Sequence, residues 1–152
     1  MKVSRGFTLI ELLIAISIIA ILSVIGLGIY QSVYKSSRDA KRRSDLKFIQ
    51  SALEQYHADQ KYFPFTVTPG QEFSFTNSVG KKFIYMNKVP QDPAPPPDYS
   101  YQAIGTNCSA ARESNCSSYC LYARLENTTN IVSDSACSSP SDNRLNYGIT
   151  RP

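Results

Sequence analysis

The chain has 152 residues, room for one folded domain plus an anchor. It carries a net charge of +4, four Cys and a single His. It shows no Ser/His/Asp pattern, no phosphate-cradling Gly-rich loop and no metal-ligand cluster, which speaks against an enzyme. Residues 1–6, MKVSRG, read as a short basic leader that lacks the apolar region of a secretory signal. Lys2 and Arg5 assign the leader to the cytoplasmic side of a membrane. Residues 7–29 follow, twenty-three residues with one formal charge, Glu11. As a helix they span roughly 34 Å, enough to cross a bilayer's hydrocarbon core. The run is too long for a signal-peptide core and no A-x-A site follows it, so it is expected to stay in the mature chain. A carboxylate at membrane depth costs about 2.5–3.5 kcal/mol and needs a partner. No Lys or Arg lies between Phe7 and Tyr34. A cut after Gly6 would give Phe7 a new α-amino group. Phe7 and Glu11 are four apart and share one helix face, so that cut creates a cation for Glu11 in the same chain or in a neighbour.

The run Arg5-Gly6-Phe7-Thr8-Leu9-Ile10-Glu11-Leu12-Leu13 resembles the processing site of type IV prepilins and of type II secretion pseudopilins. The shared pattern is a short basic leader, Gly, Phe, three residues, Glu, then an apolar helix. The resemblance implies that a prepilin peptidase cuts between Gly6 and Phe7 and methylates the new amino terminus. It also implies that Glu11 registers one subunit against the next in a helical filament. Many relatives carry Pro near the end of this helix, where this chain has Gly26 and Gly28. Two readings stand there: a soft spot where the helix bends, or close helix packing by small residues.

Residues 30–63 continue the helix as an amphipathic half. Leu46, Ile49, Ala52, Leu53 and Tyr56 fall on one face, with Lys47, Ser51 and Glu54 opposite, and Pro64 stops it. Between the halves, residues 35–47 hold six cations (Lys35, Arg38, Lys41, Arg42, Arg43, Lys47) against Asp39 and Asp45. This run reads as a solvated face beside anionic lipid head groups. Sharper alternatives are contact with acidic residues of neighbouring subunits, or with DNA phosphates through Arg42 and Arg43. No aromatic residues interleave with these charges, so nucleic acid is not the expected partner.

Residues 64–152 form a β-rich domain, with strands expected at Glu72–Thr76, Lys82–Met86, Tyr99–Ile104 and Tyr119–Glu126 and turn signals between them. The fold class is α+β: one long helix packed on a small antiparallel sheet, as in pilins. Val89-Pro90-Gln91-Asp92-Pro93 followed by Tyr99-Ser100-Tyr101 is similar to the Pro-x-Asp-Pro…Tyr-x-Tyr passage of major pseudopilins. Here Pro95, Pro96 and Pro97 replace the aromatic and Gly residues usual in that loop. Cys108, Cys116, Cys120 and Cys137 suggest two disulfides in an outward-facing segment. Three pairings are possible and the spacing does not choose among them; the reading leans to Cys108–Cys116 with Cys120–Cys137. Zinc is the alternative, but neither spacing is C-x₂-C. His57 sits at the edge of the apolar stripe and reads as structural. Major pseudopilins hold calcium in a C-terminal loop. Asp134 and Asp142 are weak candidates for such a site, without a recognisable ligand pattern, so no cofactor is expected.

The reading is a non-enzymatic filament subunit, made as a single-pass precursor in the cytoplasmic membrane with its C-terminal domain outside, then drawn into a periplasmic or surface fibre. Its partners are itself, other pilin-like subunits, the prepilin peptidase, an inner-membrane assembly platform and, before assembly, lipid. A type II secretion pseudopilin is preferred. The alternatives are a type IV pilus subunit for adhesion, motility or DNA uptake, and a monomeric binding protein that uses the helix only as a tether.

Overall fold

The computed structural model describes residues 7–96, 98–127, 135–137 and 144–152, with the backbone alone at residues 25, 27 and 28. One helix, α1 (Leu9–Gln60), precedes five strands: β1 (Phe73–Thr76), β2 (Lys82–Met86), β3 (Ser100–Ile104), β4 (Ser118–Ala123) and β5 (Tyr147–Thr150). The chain divides into two compact units, Met1–Ser36 and Ser37–Pro152. In the first, the described side chains of α1 are exposed all round, Leu, Ile and Val included. A helix that is apolar on every face has no polar side to give to water and must be covered by lipid or by other chains.

In the second unit, α1 lies on antiparallel sheets, an α+β arrangement. The spacing read from the sequence is the buried face: Leu46, Ile49, Ala52, Leu53 and Tyr56 all lie in the core, with Phe63, Phe73, Val89, Tyr99, Tyr119 and Leu121. The Tyr56 ring stacks on Phe73 at 5.4 Å and meets Tyr85 edge-on at 5.2 Å, which docks the β1–β2 hairpin on the helix. Phe63, just beyond the end of the helix, meets Tyr119 of β4 edge-on at 4.8 Å. Glu54, expected on the far side with Lys47 and Ser51, is only half exposed and accepts the Tyr119 hydroxyl at 3.3 Å. The helix ends at Lys61, which takes a left-handed conformation (φ 70°) and donates its N–H to the His57 carbonyl at 2.8 Å. This is an αL cap in a residue that carries a Cβ, with Pro64 shortly after.

Two sheets form rather than one. β1 pairs with β2, and a second sheet has the order β3-β4-β5. β4 stops at Ala123 instead of reaching Glu126. Beyond it the Leu125 N–H turns to the Asn146 side chain, and Glu126 turns to the arginines of α1. β5 went unread in the sequence because Gly148 interrupts a run of only four residues. That glycine is a packing requirement: a Cβ there would lie 2.9 Å from Cys137 Cβ and 3.0 Å from Tyr122 Cδ1. Both disulfides lie in this half of the domain, Cys108–Cys116 and Cys120–Cys137, closing loops of 8 and 17 residues. The second ties β4 to the segment that β5 packs against.

Candidate functional site

The first candidate is the start of α1. Thr8 is its N-cap and Glu11 its third residue, and the two form a capping box. The Thr8 N–H and the Thr8 hydroxyl both donate to Glu11 Oε2 at 2.8 Å, and the Glu11 N–H lies 3.4 Å from Thr8 Oγ1. The Thr-x-x-Glu spacing ahead of an apolar run is a sequence signature of this motif, and it was available in the residues that carry the prepilin resemblance. Glu11 is therefore held from within its own chain, beside the first peptide unit after Phe7. Phe7 itself is 90 % exposed. Further along, Ser17 and Ser23 return their hydroxyls to the Leu13 and Ile19 carbonyls at 2.8 and 2.7 Å, which leaves no side-chain donor free on an otherwise apolar surface. A Cβ at Gly26 would meet nothing within 4 Å, so that position has room in the isolated subunit. Taken separately, neither Leu9–Val24 nor Ile29–Gln60 is long and apolar enough to cross a membrane; taken together, the two segments meet that test by length and composition.

The second candidate is the basic run. Its expected solvated face is only partly there. Arg42 is 2 % exposed and grips Asp92 with two bonds, Nε to Oδ2 at 2.7 Å and Nη2 to Oδ1 at 2.9 Å. Its Nη1 also donates to Asp39 at 2.8 Å and to Glu126 at 2.9 Å. The hydrogen bonds it donates to Asp92 above all, then to Glu126 and Asp39, raise the guanidinium beyond its ordinary range despite the opposing effect of burial. Arg38 donates to Glu126 from Nε at 2.6 Å and from Nη2. Lys41 pairs with Asp45, whose Oδ2 also accepts the Tyr99 hydroxyl at 2.8 Å. Asp39 caps the far segment by accepting the N–H groups of Glu126 and Asn127 at 2.9 and 2.8 Å.

Arg42, the partly buried Arg38 and four carboxylates thus face inward, with Lys41 at their exposed rim, and the physical reason is reach. α1 presents residues 38–45 to two chain segments that bring Asp92 and Glu126, and a bidentate Arg–carboxylate pair satisfies both groups out of water. Arg42 is consequently unavailable to DNA phosphates, and Arg43 lies over the Tyr147 ring at 5.8 Å. The Pro-x-Asp-Pro passage takes its place through the same contact. Asp92 Oδ1 also accepts the Ala94 N–H, and Asp98 accepts the N–H groups of Asp92 and Tyr99, so the loop is folded around its own acids.

His57 stacks on Phe63 at 4.6 Å. Among the described residues no group of three or more His, Cys, Asp or Glu could hold a metal ion. Gly6 and the calcium candidates Asp134 and Asp142 lie outside the described residues.

No curated protein and no solved structure matches the chain. Residues 1–27 match a family described as the prokaryotic N-terminal methylation motif. On that match, and on a capped, apolar helix that begins where the motif requires one, the chain carries the prepilin-type signature of the type IV pilin and pseudopilin family.

Proposed function

We propose that this chain is a structural subunit of a type IV pilus-like filament, processed between Gly6 and Phe7 with methylation of the Phe7 amine. The observation that carries the reading is the methylation motif over residues 1–27, joined to a helix whose apolar side chains are exposed on every face. Such a surface is stable only in lipid or against other helices. One chain that exchanges the first cover for the second is a membrane precursor that becomes a fibre. In this reading residues 7–29 form the fibre core, 30–63 link it to the domain, and 64–152 form the fibre surface. Glu11 sets register. Its carboxylate lies on the Thr8 N–H, next to the residue that would carry the new amine, which supports a pairing between that amine and Glu11 within the subunit or across to a neighbour.

Within the class we favour a type II secretion pseudopilin, which assembles a short fibre that drives folded proteins outward. Support comes from the Asp92 passage, which docks on α1 through the buried Arg42 pair. The two disulfide-stapled segments favour the alternative, a surface pilus subunit. Intact-mass and N-terminal sequencing of protein taken from native membranes tests the class. A methylated Phe7 terminus is expected. An unprocessed Met1 terminus in cells with active prepilin peptidase would overturn the reading and leave a tethered binding protein. Deleting the gene then separates the two branches, since a pseudopilin is needed for export of folded proteins and a pilus subunit for surface fibres.

A further inference from the structure

The apolar run ends in a feature the filament reading does not use. Tyr30 and Tyr34 stand one helical turn apart with ring centroids 4.3 Å from each other, tilted by 47°. Both rings are about half exposed, at 56 % and 48 %. Lys35 follows directly, and it is the first cation after Phe7. A cation beside two tyrosines at the end of an apolar helix is the pattern that anchors a span at a membrane–water interface. The rings lie at head-group level with their hydroxyls towards water, and the ammonium reaches lipid phosphate. The lengths agree: from Leu9 to Ile29 the helix rises about 30 Å, against a hydrocarbon core of about 30 Å.

The next three cations along the helix are already engaged, while Arg43 and Lys47 lie two to three turns further from the apolar run. Arg38, Lys41 and Arg42 are engaged by Glu126, Asp45 and Asp92. Lys35 has no such acid among the described residues. We infer that, in the unassembled subunit, Tyr30, Tyr34 and Lys35 form an interfacial anchor for the outer leaflet of a phospholipid bilayer and set the depth at which the precursor waits for assembly. The partner is the lipid head-group region rather than a second protein chain. The inference rests on the membrane-anchor part of the reading above.

The chain has no Trp, so a single substitution installs a unique fluorescent depth reporter. Full-length Tyr34→Trp and Ile18→Trp proteins would be reconstituted separately in phosphatidylcholine–phosphatidylglycerol vesicles. The acyl chains would be brominated either near the head group or near the terminal methyl. The expected result is that Trp at position 34 is quenched about twofold more by the shallow bromines, and Trp at position 18 by the deep ones. Tyr30→Trp repeats the shallow measurement should the position-34 protein fail to reconstitute. If position 18 is deep while positions 30 and 34 are quenched by neither label, or more by the deep one, the interfacial anchor is overturned and the membrane anchor stands. If position 18 is quenched by neither label, the membrane anchor fails and takes this inference with it.

Discussion

The buried face of α1 in the C-terminal unit has two chemistries. From Asp39 through Arg42 to Asp45 it is ionic; from Leu46 through Ile49, Ala52 and Leu53 to Tyr56 it is apolar. The same helical period runs through both halves, and both are nearly closed to water. They differ in what holds them. The apolar half is non-directional, and its partners are whatever rings and aliphatic groups fill the space. The ionic half is directional: one guanidinium is shared among three carboxylates in fixed geometry, which selects the segments carrying Asp92 and Glu126 and no others. In the proposed filament such selection would give the domain one defined surface towards neighbouring copies, although ion pairs out of water give little net stability for their number.

The largest effect is expected where the ionic half loses its centre. Arg42→Met leaves Asp92 and Asp39 buried without their cation and should cost about 3–5 kcal/mol in urea unfolding. Adding Asp92→Asn should return about 1–3 kcal/mol of that, because the two residues act as a unit. Strict additivity of the two changes, or a loss below about 1 kcal/mol for Arg42→Met alone, would mean that the network is incidental. In the apolar half, Leu53→Ala should cost about 2–5 kcal/mol through lost burial and the cavity left behind. That loss should be the same across pH, whereas the Arg42 loss should vary with it.

Acid sharpens the same contrast. Bonds from Arg38, then Arg42, hold the Glu126 carboxyl down to about 2 from its ordinary 4.5. A depressed carboxyl stabilises the fold fully above its ordinary value, and the benefit disappears as pH falls from about 4.5 towards about 2. The Glu126 side chain is 23 % exposed, so solvent screening reduces the effect to about 1–2 kcal/mol over that window. Glu126→Gln should lower stability at neutral pH by a similar amount and flatten the acid limb of a plot of urea midpoint against pH. An unchanged acid limb would remove Glu126 from the account.

The two halves were not equally legible. Leu46, Ile49, Ala52, Leu53 and Tyr56 could be read as a face because helical spacing is local information. The cations at 38–42 and the Asp92 loop were each singled out, yet their meeting spans fifty residues and no local pattern encodes it. Residues 35–47 therefore read as a solvated stripe when half of their charge is internal. The start of the helix shows the opposite case. The Thr8–Glu11 box is local and therefore legible, and the proposed new amine is a second partner for the same carboxylate. Both roles fit one carboxylate, since Thr8 holds it beside the peptide unit that follows Phe7. β5 escaped because Gly148 answers to Cys137 and Tyr122, contacts that strand propensity does not contain.

The smallest effect belongs to the rim of the ionic half. Lys41 pairs with Asp45 at 3.0 Å across one helical turn, but its side chain is 56 % exposed. The order is also the weaker one, with the cation N-terminal to the acid. Asp45 keeps a second donor in the Tyr99 hydroxyl, so removing Lys41 does not orphan it. Lys41→Gln should therefore cost only about 0.2–0.5 kcal/mol, and that difference should vanish in high salt. A loss close to that of Arg42→Met would mean that the exposed ammonium, not the buried hydroxyl, holds Asp45 in place. The boundary between ionic and apolar chemistry would then reach the surface at Lys41 instead of closing at Tyr99.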